Sequence, residues 1–184
     1  AQFEACSSPG LIPGRVVRQS RDHSTLVTPL GELVGEVSGR FRHGAAGSAD
    51  YPVVGDWVVV EPFGESPALI HSLLPRRSAF VRKVAGEAVK AQVTTANVDT
   101  VFLVSGLDGD FNLRRIERYL TTAWAGGAAP VIVLNKADLR TDMDAVIAEV
   151  GTIAPGVPVV AISALAEAGL ESLEPYLVPG KTVA

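Results

Sequence analysis

Apolar and polar positions follow one rhythm up to about residue 75 and another after residue 98. The first part contains five short stretches dominated by Val, Ile, Leu, Thr and aromatic residues: GRVVRQ, STLVTP, ELVGEVSGRF, DWVVVEP and ALIHSLL. Turn signals rich in Pro and Gly separate these stretches, which is typical of β-strands joined by short loops. Five strands in residues 11–75 predict a small closed barrel of the OB type. An SH3-like barrel fits the same pattern, and the pattern alone does not separate the two.

In residues 98–184 the pattern predicts strands that alternate with helices. TVFLV, VIVLN and VPVVAIS read as buried strands. FNLRRIERYLTTAW places its apolar residues on one helical face, with Asn112 as N-cap and Gly126-Gly127 at the end. A second helix is predicted over residues 144–153, and a third over GLESLEPYL with Leu170 and Leu173 facing inward. This alternation predicts a parallel, doubly wound sheet whose ligands bind beyond the carboxyl ends of the strands.

The charge is distributed unevenly along the 184 residues. Residues 1–90 carry ten Lys/Arg and nine Asp/Glu, and residues 91–184 carry six and eleven, so a net charge of +1 is followed by one of −5. We therefore divide the chain into a disordered or extended N-terminus (1–10), the barrel (11–75), a basic linker (76–97) and the α/β part (98–184). Such asymmetry indicates two modules with different partners.

The basic excess is concentrated in the segment RRSAFVRK. It combines four cations with one aromatic ring: Arg76, Arg77, Phe80, Arg82 and Lys83. Beside a barrel, this composition suits contact with an RNA backbone and stacking on a base. A solvated linker whose Phe80 packs between the modules explains the same residues equally well, and both interpretations stay open.

Several functional classes are excluded by composition. The longest apolar run, AAPVIVL, is far shorter than the roughly 20 residues of a membrane-spanning helix, so no membrane partner is expected. AQFEACSSPG lacks the features of a signal peptide. Cys6 is the single cysteine, which rules out an internal disulfide and leaves no cysteine cluster for a metal site. We expect a cytoplasmic protein.

The residues Asn135-Lys136-Ala137-Asp138 follow the strand VIVLN and match the chemistry of guanine. Guanine presents two adjacent donors, N1–H and the exocyclic amine, and the carboxylate of Asp138 can accept from both. Adenine lacks this donor pair and would leave the carboxylate desolvated and unpaired. Asn135 suits N7 and can tie neighbouring loops together. Lys136 can lay its apolar stem over the base while its ammonium stays in water.

A second segment, ISAL, follows the next strand and supports this interpretation. Ser163, Ala164 and Leu165 lie one strand–helix–strand unit after Asp138. A backbone N–H of Ala164 or Leu165 is a candidate donor to guanine O6. The alternative is that Lys136 and Asp138 belong to an ordinary solvated loop.

The phosphate half of a GTPase site has no match in these residues. Such a site needs GxxxxGK[ST], and the one Gly-Lys-Thr, at residues 180–182, has Pro175 where the first glycine should stand. PGKTVA is better explained as a turn entering a strand. No Asp-x-x-Gly is present, and DGDFN resembles a calcium loop only in its first positions, because Leu113 and Tyr119 replace the glycine and glutamate that the loop requires. No catalytic residue is predicted.

The order of these motifs, with a barrel before NKAD and SAL, resembles the circularly permuted GTPases that depend on the small ribosomal subunit. GRVV, GDWVVVE, RRSAFVRK, TTANVDTVFLVS, NLRRIERYL, VIVLNKADL and GLESLEPYL carry the resemblance, which covers about residues 12–184. It implies an OB barrel, a permuted GTPase domain that uses GTP, GDP and magnesium, and a C-terminal zinc domain. It also implies binding to the small ribosomal subunit and its rRNA late in assembly.

By this resemblance, Asn135, Lys136 and Asp138 read guanine with the support of residues 163–165. The family's phosphate loop, magnesium and γ-phosphate switches and zinc cluster find no match here. We therefore expect the chain to be an N-terminal portion of a longer GTP hydrolase and to be inactive alone. TVFLV would then expose an unpaired edge and promote self-association. The alternative is an RNA- or ribosome-binding module without nucleotide function.

Overall fold

The computed structural model describes residues 8–64, 66–83 and 91–184, which divide into two units between Asn97 and Val98. The division falls where the sequence pattern changes from strands alone to strands and helices. Residues 1–7, including Cys6 and most of the predicted N-terminal segment, lie outside the described residues, as do residues 84–90 of the predicted linker.

Unit 1 contains a closed five-stranded barrel. Its strands are β1 (Ile12–Gln19), β2 (Ser24–Thr28), β3 (Gly31–Val37), β4 (Trp57–Phe63) and β5 (Ser66–Leu73), in the spatial order β1-β2-β3-β5-β4, with β4 paired back to β1. Strands β3 and β5 pair in parallel, and the short helix α1 (Gly39–Gly44) connects β3 to β4. This closed topology confirms the OB-type prediction.

The barrel interior is filled by side chains from alternate strand positions. Leu26, Val58, Val60 and Ile70 are fully buried and pack with Val16. Gly35 faces the same interior, where a Cβ would lie 2.5 Å from a methyl group of Leu26. The interior of the barrel is therefore a packed core rather than a ligand cavity. The absence of a side chain at Gly35 lets β3 lie close to Leu26.

Residues 76–97, which the sequence analysis treats as a linker, contain an antiparallel pair of strands in unit 1. These are β6 (Ala79–Lys83) and β7 (Ala91–Ala96). Val93 and Ala96 of β7 are buried against Val53, so an apolar face within the basic segment has a partner. The sequence pattern did not predict these two strands, because a half-buried pair of strands needs few apolar residues and the cations dominate the composition of the segment.

Unit 2 is an α/β layer built on three parallel strands. Its elements are β8 (Thr100–Gly106), α2 (Leu113–Ala125), β9 (Ala129–Asn135), α3 (Met143–Ile153) and β10 (Val159–Ala161), and the strand order is β10-β9-β8. Ile116 and Leu120 of α2 and Val150 of α3 pack on Ile132 of β9. The predicted alternation and the parallel sheet are confirmed.

The C-terminal part of unit 2, residues 170–184, agrees with the prediction in one respect and differs from it in another. Residues 182–184 run parallel to the start of β8, with Val183 paired to Thr100, so the predicted strand start is present. GLESLEPYL forms a 3-10 helix (Leu170–Tyr176) rather than an α-helix. It contains Pro175, which disfavours an α-helix because its ring clashes with the carbonyl four residues earlier. Leu173 packs against the sheet, but Leu170 is exposed and not inward-facing as predicted.

Asn112 caps α2 as predicted: its side-chain oxygen accepts from the backbone N–H of Arg115 at 3.1 Å. No described helix is long and apolar enough to cross a membrane.

Candidate functional site

The segments NKAD and ISAL meet at one edge of the parallel sheet. Leu134, at the end of β9, pairs with Ala161, at the end of β10. Beyond the strands, the backbone N–H of Ala137 donates to the carbonyl of Ile162 at 3.0 Å. Because parallel strands end at the same edge, residues 25 or more positions apart come into contact, as the sequence analysis expects.

Asn135 ties the two segments together through its side-chain amide. Its Oδ1 accepts from the backbone N–H of Lys136 at 2.8 Å and of Ala164 at 3.1 Å. The Ala164 N–H was a candidate donor to guanine O6, and it is already engaged by this bond. Among the described residues the Asn135 Nδ2 has no acceptor, so it stays available to a ligand.

The carboxylate of Asp138 is oriented by a buried hydroxyl. Ser163 is only 2% exposed, and its Oγ donates to Asp138 Oδ1 while accepting from the backbone N–H of Ala166 at 3.2 Å. Asp138 itself is exposed, and no described residue donates to its Oδ2. The arrangement leaves the Asp138 carboxylate oriented by Ser163 at Oδ1 and open to a ligand at Oδ2.

The loop after Ser163 is a narrow turn that presents its tip to solvent. Ser163 and Ala168 exchange two backbone hydrogen bonds of 2.9 and 3.0 Å. Gly169 follows with φ of 74°, and a Cβ there would lie 2.5 Å from the carbonyl oxygen of Ala161. Leu165, at the tip, is 92% exposed, and its N–H has no partner among the described residues. Of the two candidate donors to guanine O6, this N–H remains.

Lys136 is held by a residue that the sequence analysis did not assign to the site. Its backbone is left-handed, with φ of 66°, and its ammonium donates to the Asp108 carboxylate. The hydrogen bond raises the pKa of Lys136 and lowers the pKa of Asp108. In the sequence, Asp108 begins the segment DGDFN, which resembles a calcium loop only in its first positions. Its position just after β8, the neighbouring parallel strand, was the signal that could have placed it here.

The Gly-Lys-Thr at residues 180–182 belongs to strand pairing. The Thr182 N–H donates to the Asp99 carboxylate at 2.9 Å, and its carbonyl accepts from the Asp99 and Thr100 N–H groups. Within the described part of the chain, no group of three or more His, Cys, Asp or Glu residues is arranged to hold a metal ion.

The candidate RNA-binding residues occupy different environments. The Arg76 guanidinium pairs with the buried Asp56 carboxylate at 2.8 and 2.7 Å and donates to two further carbonyl oxygens, so it is committed to the interior of unit 1. Arg77 is exposed and Phe80 is half-buried on β6. The side chains of Arg82 and Lys83 lie outside the described residues. The structure thus separates Arg76, which is paired with Asp56, from the exposed Arg77 beside it.

Comparison with known proteins matches residues 73–184 to the family described as RsgA GTPase. The chain belongs to the RsgA GTPase family. A relative from Opitutus terrae, named small ribosomal subunit biogenesis GTPase RsgA, is 47% identical over 191 residues, covering 99% of this chain and 52% of the relative. One of the RsgA proteins of Lactiplantibacillus plantarum is 40% identical, covering all of this chain and 52% of the relative. The chain spans about half the length of the curated RsgA proteins it matches.

Solved structures agree with this membership. YjeQ from Thermotoga maritima superposes with a TM-score of 0.76 at 25% identity, covering 94% of this chain and 59% of that one. YloQ, described as a circularly permuted GTPase, superposes with a TM-score of 0.71 at 20% identity and shows the shared fold. The predicted fold class, a barrel followed by a partial permuted GTPase domain, is confirmed.

Proposed function

We propose that this chain provides the base-reading half of a guanine-nucleotide site in a GTPase of small-ribosomal-subunit biogenesis. The observation that carries the proposal is the Asp138 carboxylate, oriented by the buried hydroxyl of Ser163 and open at its second oxygen. Membership of the RsgA GTPase family supports the nucleotide class.

The proposed recognition follows from donor and acceptor geometry. Asp138 accepts from guanine N1–H and the exocyclic amine, the Asn135 Nδ2 donates to N7, and the Leu165 N–H donates to O6. The Lys136 stem covers one face of the base. Ser163 and the Ala164 N–H do not touch the base in this proposal. They hold Asp138 and Asn135, which preorganises the Asp138 acceptor and the Asn135 donor before nucleotide arrives.

We propose that the 184 residues bind guanine nucleotide weakly and do not hydrolyse GTP. Phosphoryl transfer depends on charge stabilisation by a phosphate loop and magnesium, and this sequence contains no GxxxxGK[ST]. The magnesium and zinc sites that the family resemblance implies find no ligand group among the described residues. Binding by the base alone leaves the phosphates in water.

For unit 1 we propose contact with small-subunit rRNA, which would place the protein in the cytoplasm with the assembling subunit. Arg77 is exposed and Phe80 is a half-buried ring on β6, and Arg82 and Lys83 follow Phe80 in the sequence of the same strand. Arg76 supports this surface indirectly through Asp56. If Arg77→Ala leaves the salt-dependent affinity for small-subunit rRNA unchanged, while the fold is intact, this segment is not the contact.

We also propose that the sheet edge of β8 promotes self-association. Residues 182–184 pair with its first positions, whereas Val104 further along is exposed. Unpaired strand edges attract other strands. Sedimentation equilibrium at rising protein concentration should show dimers, and a monomer throughout would contradict the proposal.

The decisive test of base reading is Asp138→Asn, titrated with GDP and with xanthosine diphosphate. The substitution replaces one acceptor oxygen by a donor, which fits the xanthine carbonyl better than the guanine amine. We expect GDP affinity to fall by about tenfold or more, because charge-assisted hydrogen bonds contribute about 1.5–3 kcal/mol. Xanthosine diphosphate should bind the variant more tightly than GDP does.

Asp144→Asn on the exposed start of α3 is the matched control, since it makes the same change of charge outside the site. Equal GDP affinity of the Asp138 variant and the wild type would refute base reading. The second candidate, an RNA-binding module without nucleotide function, would be favoured by rRNA binding without any GDP binding by the wild type.

A further inference from the structure

The contact between Lys136 and Asp108 joins the nucleotide site to a loop that the proposed base recognition does not use. Asp108 lies 28 residues before Lys136, in the loop between β8 and α2. Its Oδ2 accepts from the Lys136 ammonium, and its Oδ1 accepts from the backbone N–H of Asp110 at 3.3 Å. The carboxylate is therefore held by its own loop on one side and holds Lys136 on the other.

The loop that carries Asp108 is itself fixed at both ends. The Leu107 N–H donates to the carbonyl of Asn135 at 2.9 Å, which ties the loop to the end of β9. Asp110 forms an ion pair with Arg115 on the first turn of α2. These contacts hold the Asp108 carboxylate in a fixed position. An acceptor in a fixed position restrains the long lysine side chain that pairs with it.

A missing side chain at Gly106 makes room for this pair. A Cβ at Gly106 would lie 3.0 Å from Asp108 Oδ1 and 3.7 Å from Lys136 Cδ. The Lys136 stem accordingly runs alongside the end of β8 and reaches the carboxylate beyond it. Without Asp108, the ammonium would turn to another carboxylate. Asp110 and Asp138 both add to the raised pKa of Lys136, but Asp110 is already paired with Arg115, which leaves Asp138 as the alternative partner.

That alternative partner is the carboxylate proposed to read guanine. Ser163 occupies only Oδ1 of Asp138, and no described residue donates to Oδ2. An ammonium that moved to Oδ2 would occupy the acceptor that the base requires, and the stem would leave the face of the base. The Lys136 ammonium can therefore inhibit guanine binding by pairing with Asp138, unless a third group holds the ammonium elsewhere.

We propose that Asp108 is a positioning residue for guanine binding, which keeps the Lys136 ammonium away from Asp138 so that the stem lies beside the base and the reading carboxylate stays open. This inference rests on the proposed function and assigns a further residue to the same site. Asp108 does not touch the base; it acts entirely through Lys136.

The test is a double-mutant cycle on GDP affinity, measured by following the amide signals of residues 135–138 during titration of the 184-residue chain. Asp108→Asn should weaken GDP binding by about two- to fivefold, since exposed ion pairs of this kind contribute only modestly. Asp108→Glu should restore most of the affinity. In a Lys136→Met background, which keeps the stem and removes the charge, Asp108→Asn should have no further effect.

Asp144→Asn again controls for the change in net charge and should leave GDP affinity within about 1.5-fold of the wild type, as expected for an exposed acid outside the site. If Asp108 merely stabilised its loop, Asp108→Asn would weaken binding equally with and without the Lys136 charge, and that result would overturn the inference. Unchanged affinity in Asp108→Asn would also overturn it while leaving the proposed function intact. If the wild type does not bind GDP, the proposed function is refuted and the inference falls with it.

Discussion

Replacement of Arg76 by methionine should destabilise unit 1 far more than its place in a basic segment suggests. Asp56 is fully buried, and its carboxylate accepts from Arg76 Nε at 2.8 Å, from Arg76 Nη2 at 2.7 Å and from the Val53 N–H at 2.8 Å. The same guanidinium donates to the carbonyls of Ala49 and Tyr51. Methionine keeps much of the volume but leaves the buried charge with one donor.

The expected loss is about 3 kcal/mol of unfolding free energy. Removing one partner of a buried ion pair typically costs about 3–5 kcal/mol. We take the lower end because the Arg76 side chain is 18% exposed, so water can reach part of the gap. A domain of ordinary stability has about 5–15 kcal/mol, so the loss is a large share of it. Arg77→Met, at the neighbouring exposed position, should cost about 0.5 kcal/mol or less.

The two tryptophans make the measurement specific to one unit. Trp57 begins β4 of unit 1, and Trp124 is exposed on α2 of unit 2. In a Trp124→Phe background, urea unfolding followed by fluorescence reports on Trp57 alone. With a slope of about 1–3 kcal/mol per molar urea, Arg76→Met should lower the midpoint by about 1–3 M.

A second substitution tests whether the unpaired charge causes the loss. Asp56→Asn added to Arg76→Met should recover part of the stability, because a neutral amide costs less to bury than a carboxylate. If Arg76→Met shifts the midpoint no more than Arg77→Met does, the ion pair does not stabilise unit 1 and the reasoning is refuted.

Three further outcomes are expected in unit 2. Asn112→Ala removes the N-cap of α2 and should cost about 1 kcal/mol in a urea titration followed by Trp124, whereas no change would deny the cap an energetic role. Gly169→Ala places a Cβ 2.5 Å from a carbonyl oxygen at φ of 74° and should cost about 1–3 kcal/mol by the same titration; a neutral effect would contradict the strain argument. In a carboxyl NMR titration Asp108 should protonate below the usual range of an aspartate, because the Lys136 hydrogen bond lowers its pKa; the pair therefore stabilises the fold above that range and loses this effect as the pH falls through the lowered pKa. The pH at which Asp108 is half protonated should rise in Lys136→Met. An unchanged value would show that the pair does not form in solution.

The five strands of the barrel, α2 and the parallel strands of unit 2 could be predicted because local patterns encode them, whereas β6 and β7 were not predicted. Alternating and helical spacings decide which face of each element is apolar, and Asn112 signals a helix start by its own chemistry. The 3-10 helix at residues 170–176 shows the limit of this approach. The apolar spacing favoured an α-helix, but Pro175 disfavours that geometry.

The candidate guanine residues were also accessible to sequence reasoning, because the chemistry of Asn135, Lys136 and Asp138 matches one base and each follows a predicted strand. What Ala164 donates to, and which hydroxyl orients Asp138, were not accessible. These contacts join loops that are close only because β9 and β10 end side by side. No local sequence pattern predicts such a contact between two loops.

By itself the sequence determined most of the strands and helices, the family that the chain resembles and the residues that are candidates for guanine recognition. Only the tertiary structure decided that Arg76 serves Asp56, 20 residues earlier in the chain, and that Lys136 is held by Asp108, 28 residues earlier. The physical reason is that propensity and periodicity act over a few neighbouring residues. The partner of a charged side chain is instead selected by packing, which brings distant residues together and requires every buried charge to find a counterpart.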